Sequence, residues 1–185
     1  MTHPFDRLTP SQRKGLFWSS LAATILLMLV MNLVGAPLVT DPAPYGIVSF
    51  ELAGNPAQAG AILDSWNQED RLHAAFSLGL DYLFMVVYST SIGLACLWTR
   101  DVLHKRGWPL ARFGAPLAWG QWAAASLDAL ENVALTVVLL ASLGSPWPEL
   151  AKWCALIKFL LIFLGLIYAF YGLIVFLITR RSAYT

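Results

Sequence analysis

Four long apolar stretches, at about 16–34, 74–98, 113–143 and 150–178, limit what this chain can fold into. At 1.5 Å per residue, a helix of about 20 residues crosses a hydrocarbon layer of about 30 Å. No water satisfies peptide groups there, so each crossing segment must bond its own backbone, as a helix does. Charged residues make up 12% of the chain, against about 25% in soluble domains, and hydrophobic residues reach 58%. The apolar residues also fall in continuous blocks rather than in the short periodic runs of a soluble core. The expected fold class is all-α integral membrane: one domain, 1–185, folded as a four-helix transmembrane bundle. The first run is too long for the apolar region of a cleavable signal peptide, so it is read as a span.

The connections carry local signals. Pro37, Pro42 and Pro44 stop the first helix. The only long connection follows. Its Tyr45–Leu52 stretch is apolar except for Ser49 and Glu51. Asn55-Pro56 reads as a cap with proline at the first helical position, starting a short helix to about 66. Residues 40–66 are expected to form an outer lid, lying at the interface or folded back over the bundle. Glu51 either points inward or is a solvated loop carboxylate. Asn67 reads as the cap of the second long helix, with Glu69 and Asp70 in its dipole-favoured first turn.

Positive charge gives the orientation. With the N-terminus inside, nine Lys/Arg fall in cytoplasmic segments: Arg7, Arg13, Lys14, Arg100, Lys105, Arg106, Arg112, Arg180 and Arg181. Only Arg71 and Lys152 fall outside. That asymmetry places both termini in the cytoplasm of a multi-pass protein of the cell (plasma or inner) membrane. Trp66, Trp147 and Trp153 then fit an outer aromatic belt, and Trp98 and Trp108 an inner one.

Polar residues within the spans are few and grouped. Asp128, Glu131 and Asn132 are three and four residues apart, so they share one helical face. Gln121 lies two turns along the same face. Counting helical rise from the outer ends places Asp81 about 9 Å down, Lys158 about 10 Å, Glu131 about 16 Å and Asp128 about 21 Å. Three spans thus bring acids, an amide and an ammonium into the outer half of the membrane. Each central charge costs roughly 2.5–3.5 kcal/mol on insertion scales, so such groups face inward, find partners and mark function. Lys158 is expected to pair with Asp81 or Glu131. With the acids in excess, at least one is expected to hold a proton at neutral pH. The alternative is adhesion, since interhelical hydrogen bonds contribute about 0.6 kcal/mol each. That reading suits Asn132 and Gln121 better than it suits Asp81, Glu131 and Lys158 together.

The functional expectation is a ligand site formed by Asp81, Asp128, Glu131, Asn132, Lys158, Glu51 and Tyr82. It would take a small or amphipathic, lipid-like ligand with a cationic or hydrogen-bonding head. Acid/base chemistry on that ligand is open, as are a role as an accessory subunit docking another membrane protein and ion- or proton-coupled transport. Other chemistries lack their residues. His3, His73 and His104 form no H-x-x-x-H or E-x-x-H pattern, so no metal site is expected. A lone outer His73 has no second intramembrane histidine to complete a haem site, and no cofactor is expected. Cys96 and Cys154 form no CxxC. A net charge of +1 gives no reason to expect nucleic acid. Four spans with acids inside the membrane form an outline similar to that of the sterol-isomerase and sigma-2-receptor group. No motif of that group is matched residue by residue, so the resemblance implies nothing for individual side chains.

Overall fold

The computed structural model describes residues 2–140 and 146–181. All regular structure among them is helical: α1 (Pro10–Gly35), α2 (Ile47–Glu51), α3 (Pro56–Ser65), α4 (Gln68–Lys105), α5 (Gly114–Leu140) and α6 (Trp147–Arg181), with short 3-10 turns between. Four helical segments are long and apolar enough to cross a membrane: Pro10–Leu38, Gln68–Lys105, Ala111–Leu140 and Trp147–Thr179. The chain therefore has the make-up of an all-helical membrane protein.

The expected caps form. Asn55 Oδ1 accepts from the Gln58 amide at 2.8 Å, with Pro56 at the first helical position. Asn67 Oδ1 accepts from the amides of Glu69 and Asp70, and Asp70 returns the bond by accepting from the Asn67 amide. These bonds satisfy amides that have no partner inside the helix. The helices overrun the apolar runs because helical bonding continues into good helix-forming polar flanks. What stops α4 is Gly107, whose φ of 66° is the left-handed conformation glycine adopts without strain. Its amide bonds to His104 O and that of Trp108 to Leu103 O, closing a Schellman motif. The turn expected over 143–148 is described only from Pro146 onward; residues 143–145, like the predicted end of the third span, lie outside the described residues.

The chain divides into two compact units, and each of the four long helices contributes a part to both. One unit comprises Ala23–Val86 and Ala125–Lys158. Its core joins Leu38, Phe50, Ile62, Leu63 and Trp66 of the connection to Ala74 and Leu78 of α4, Ala134, Leu135 and Val138 of α5, and Ala151 of α6. The connection is thus packed onto the helices of its own unit, and it contains α2, a five-residue helix that the sequence did not announce. Trp66, expected in an aromatic belt, is only 2% exposed, and its Nε1 donates to Leu38 O at 3.0 Å. A buried indole N–H needs such a partner, and the folded-back connection supplies it. Residues of α1 behave differently: 6% of its apolar window is buried, against 50% for α4. Apart from Ser20, its residues are exposed or only partly buried.

The other unit comprises Met1–Ala22, Val87–Ala124 and Phe159–Thr185. Cys96, Leu97, Leu103, Ala115, Ala118, Tyr168 and Val175 form its core. The N-terminal segment, read from sequence as a polar tail, is pinned there. The His3 ring lies 4.9 Å from Trp119 and 4.8 Å from Trp122, and Asp6 accepts two bonds from Arg100 at 2.8 and 3.1 Å. The Arg100 guanidinium beside Asp6 holds that carboxyl down at about 2. Burial lowers the His3 imidazole below its usual value, against the pull of Asp6. Gln121 is fully buried in this unit and donates to Leu161 O at 2.9 Å, the helix-to-helix bond that the adhesion reading expects.

Candidate functional site: an acid–lysine cluster

Three acids converge on one ammonium. Lys158 Nζ of α6 lies 2.5 Å from Asp128 Oδ1, 2.9 Å from Glu131 Oε2 and 3.6 Å from Glu51 Oε2. Asp128 and Glu131 project together because they are one helical turn apart on α5. Glu51 arrives from outside the spans, as the last residue of α2. All four side chains belong to the first unit; Glu131 is 0% exposed, Asp128 2% and Lys158 5%, while the Glu51 side chain keeps 13% exposed.

The start of α6 bears on the pairing. The sequence estimate set Lys158 and Asp128 about 11 Å apart, counting from an entry near residue 151 and an exit near 142. Helix α6 starts at Trp147, four residues before that entry, which sets Lys158 about 6 Å deeper and nearer the level of Asp128. The expected pairing of Lys158 is therefore revised. Glu131 is a partner, Asp128 is the nearer one, and Asp81 is bonded elsewhere. Asp81 Oδ2 accepts from Asn132 Nδ2 at 2.7 Å, joining α4 to α5 beside the cluster.

Not every expected residue takes part. Tyr82 is 43% exposed, and its hydroxyl donates to Ala129 O at 3.4 Å, a contact on the outer surface of the helices. Glu51 does take part, resolving the two readings of its sequence position in favour of the inward one. Sequence reasoning overlooked the N-terminal anchor of His3 and Asp6; a histidine and an aspartate in a polar leader carry no periodicity that would have flagged them.

The electrostatics are unbalanced. Glu51, Asp81, Asp128 and Glu131 face a single cation, and taking charges out of water costs several kcal/mol per ion unless partners compensate. Compensation is uneven. Lys158 Nζ is at ion-pair distance from Glu131 Oε2, yet neither Glu131 oxygen is in hydrogen-bond geometry with a partner among the described residues. Burial pushes the Glu51 carboxyl up, the Lys158 ammonium opposes this, and the nearby Asp128 pushes it further up. The arrangement can exchange a proton among its acids, and Lys158 occupies the point at which a bound cation would otherwise sit.

Two cavities, of about 580 and 420 Å³, lie away from this point. The smaller is lined by α1 and by the connection from Gly35 to Val48, and the larger by the end of α4 and by Ala111 and Arg112. The acids themselves pack against Lys158 rather than against open space. Compared with protein-family models, with curated proteins and with solved structures, the chain matches none.

Proposed function

We propose that the acid–lysine cluster is an intramembrane site for a small or amphipathic, lipid-like ligand with a cationic or hydrogen-bonding head. The chain would be a four-helix bundle of the cell membrane with both termini cytoplasmic and the connection as its outer lid. One observation carries this reading: acids from α2 and α5 converge on one α6 lysine in a largely buried position, and Glu131 Oε1 has no hydrogen-bond partner among the described residues. Adhesion alone does not call for that excess of negative charge, because amides would bond helices at lower desolvation cost. A cationic head would supply the missing charge, and a head with a donor would supply the missing bonds. Acid/base chemistry on the ligand would fall to Glu131 and Glu51, whose carboxyls face the same ammonium. The accessory-subunit reading draws less support, since an acidic docking face should lie outward and these acids lie inward. Proton-coupled transport rests on the acids alone.

The test uses a probe of matched chain length in three forms: an alkylammonium, an alkyl alcohol and an alkyl sulfate. Each is added to the detergent-solubilised full chain, and melting temperature is followed. A ligand that binds the folded state raises it in proportion to occupancy. The alkylammonium should stabilise the wild type most, and Glu131→Gln should remove most of that gain while leaving the unliganded melting temperature within a few degrees of wild type. Equal responses to all three probes, or an undiminished response in Glu131→Gln, would return the cluster to a structural role.

A further inference from the structure

The cavity of about 580 Å³ in the second unit is bordered by Arg100, Asp101 and His104 on α4 and by Ala111 and Arg112 on the 3-10 turn Ala111–Phe113. We propose that it binds the phosphate-bearing anionic headgroup of a membrane phospholipid, with Arg112 and His104 as the contacting groups.

The charges divide into a fixed set and an available set. Arg100 is held by two carboxylates: Asp6 takes its two terminal nitrogens and Asp101 its Nε at 2.9 Å. Arg13 bonds the same two carboxylates at 3.1 and 3.4 Å. Two arginines thus balance two aspartates, the carboxylate in the cavity wall included. Arg112 and His104 are left over. Neither has an ion pair among the described residues, and Arg112 makes only a cation–π contact, 5.0 Å from the Phe113 ring. A guanidinium with its donors unspent beside a concave, net-positive wall suits the three acceptor oxygens of a phosphate.

The backbone aims Arg112 deliberately. Leu110 has φ 71°, the one non-glycine residue with positive φ among the described residues. A bulky side chain in that conformation is a strained outlier that the surrounding structure must hold in place. Tyr168 does so, its hydroxyl donating to Leu110 O at 3.2 Å. Without that kink the chain after Pro109 would not turn into the 3-10 segment that sets Arg112 at the cavity wall.

The neighbouring sequence points to a lipid as the source of the phosphate. Exposed Trp108 (37%), Leu110 (49%) and Phe113 (39%) all lie within four residues of Arg112. A soluble anion has no use for apolar neighbours, whereas a phospholipid brings acyl chains with its headgroup. Basic pockets at the ends of membrane helices take anionic headgroups in this way, each Lys or Arg contributing about fivefold in affinity.

The experiment follows the melting temperature of the detergent-solubilised full chain during titration with short-chain phosphatidylglycerol, phosphatidylcholine of the same chains, or inorganic phosphate. Phosphatidylglycerol should raise it and phosphatidylcholine should not. Arg112→Gln should weaken the phosphatidylglycerol response about fivefold, and His104→Gln should weaken it by less, through a lost hydrogen bond. Arg112→Lys should keep most of it. Both positions are exposed, so the unliganded variants should melt like the wild type. If one does not, the other carries the test. Equal stabilisation by the two lipids, or a wild-type response in both glutamine variants, overturns the site. Full stabilisation by inorganic phosphate, lost in Arg112→Gln, would uphold an anion site and overturn the lipid as its source.

Discussion

Lys158 is the residue whose removal should be felt most. It is 5% exposed and touches three acids, so Lys158→Met would leave Asp128, Glu131 and Glu51 facing one another without a cation. Breaking a buried charge network by removing one partner costs about 3–5 kcal/mol. The variant should therefore melt well below wild type near neutral pH. The deficit should shrink as pH falls, because acids that take up protons no longer need the ammonium. A Lys158→Met protein that melts like wild type at both pH values would show that the lysine only extends toward the surface, as its long stem would permit. At this scale the sequence was partly legible. The spacing of Asp128, Glu131 and Asn132 fixes a shared face on any helix, so their grouping could be read directly. Which acid meets Lys158 depends on the offset of α6 against α5, and an error of three residues in a helix end moves a side chain by about 4.5 Å. The inward turn of Glu51 depends on a connection whose path no local pattern encodes.

Among the elements, caps and apolar runs were readable because their signals are local, while close contacts between helices were not. Gly172 shows the difference. A Cβ built on it would come within 3 Å of three Thr99 side-chain atoms on α4, whereas one built on Gly79 meets nothing within 4 Å. Small residues let helices approach closely where hydrophobic driving force between them is weak. Gly172→Ala should lower stability by about 1–3 kcal/mol through overpacking. Gly79→Ala should be neutral or slightly stabilising, since alanine favours the helix over glycine by up to about 1 kcal/mol. Thermal melting of the two variants in one detergent checks the pair. Equal effects would mean that Thr99 moves aside at no cost. Helix α2 was hidden for a related reason. Five residues cannot sustain a helix by propensity, and this one persists through Phe50, packed edge-on against Trp66 at 5.3 Å.

For the whole molecule, orientation in the membrane decides which side reaches each site, and it rests on the distribution of basic residues. With the N-terminus taken as inside, nine cations would fall on one side and two on the other, a bias of the kind that sets insertion. The segment holding Arg71 and the exposed Gln58 should therefore face out, and the one holding Lys105 should face in. Single cysteines can test this because the native Cys96 and Cys154 are both buried and give little background. A membrane-impermeant maleimide applied to intact cells should label Gln58→Cys and Glu149→Cys but not Lys105→Cys. Permeabilising the cells should expose position 105 to the reagent. Labelling at 105 from outside, with 58 protected, would invert the molecule. The Arg112 cavity would then face the outer leaflet, where anionic phospholipids of the cytoplasmic leaflet could not reach it.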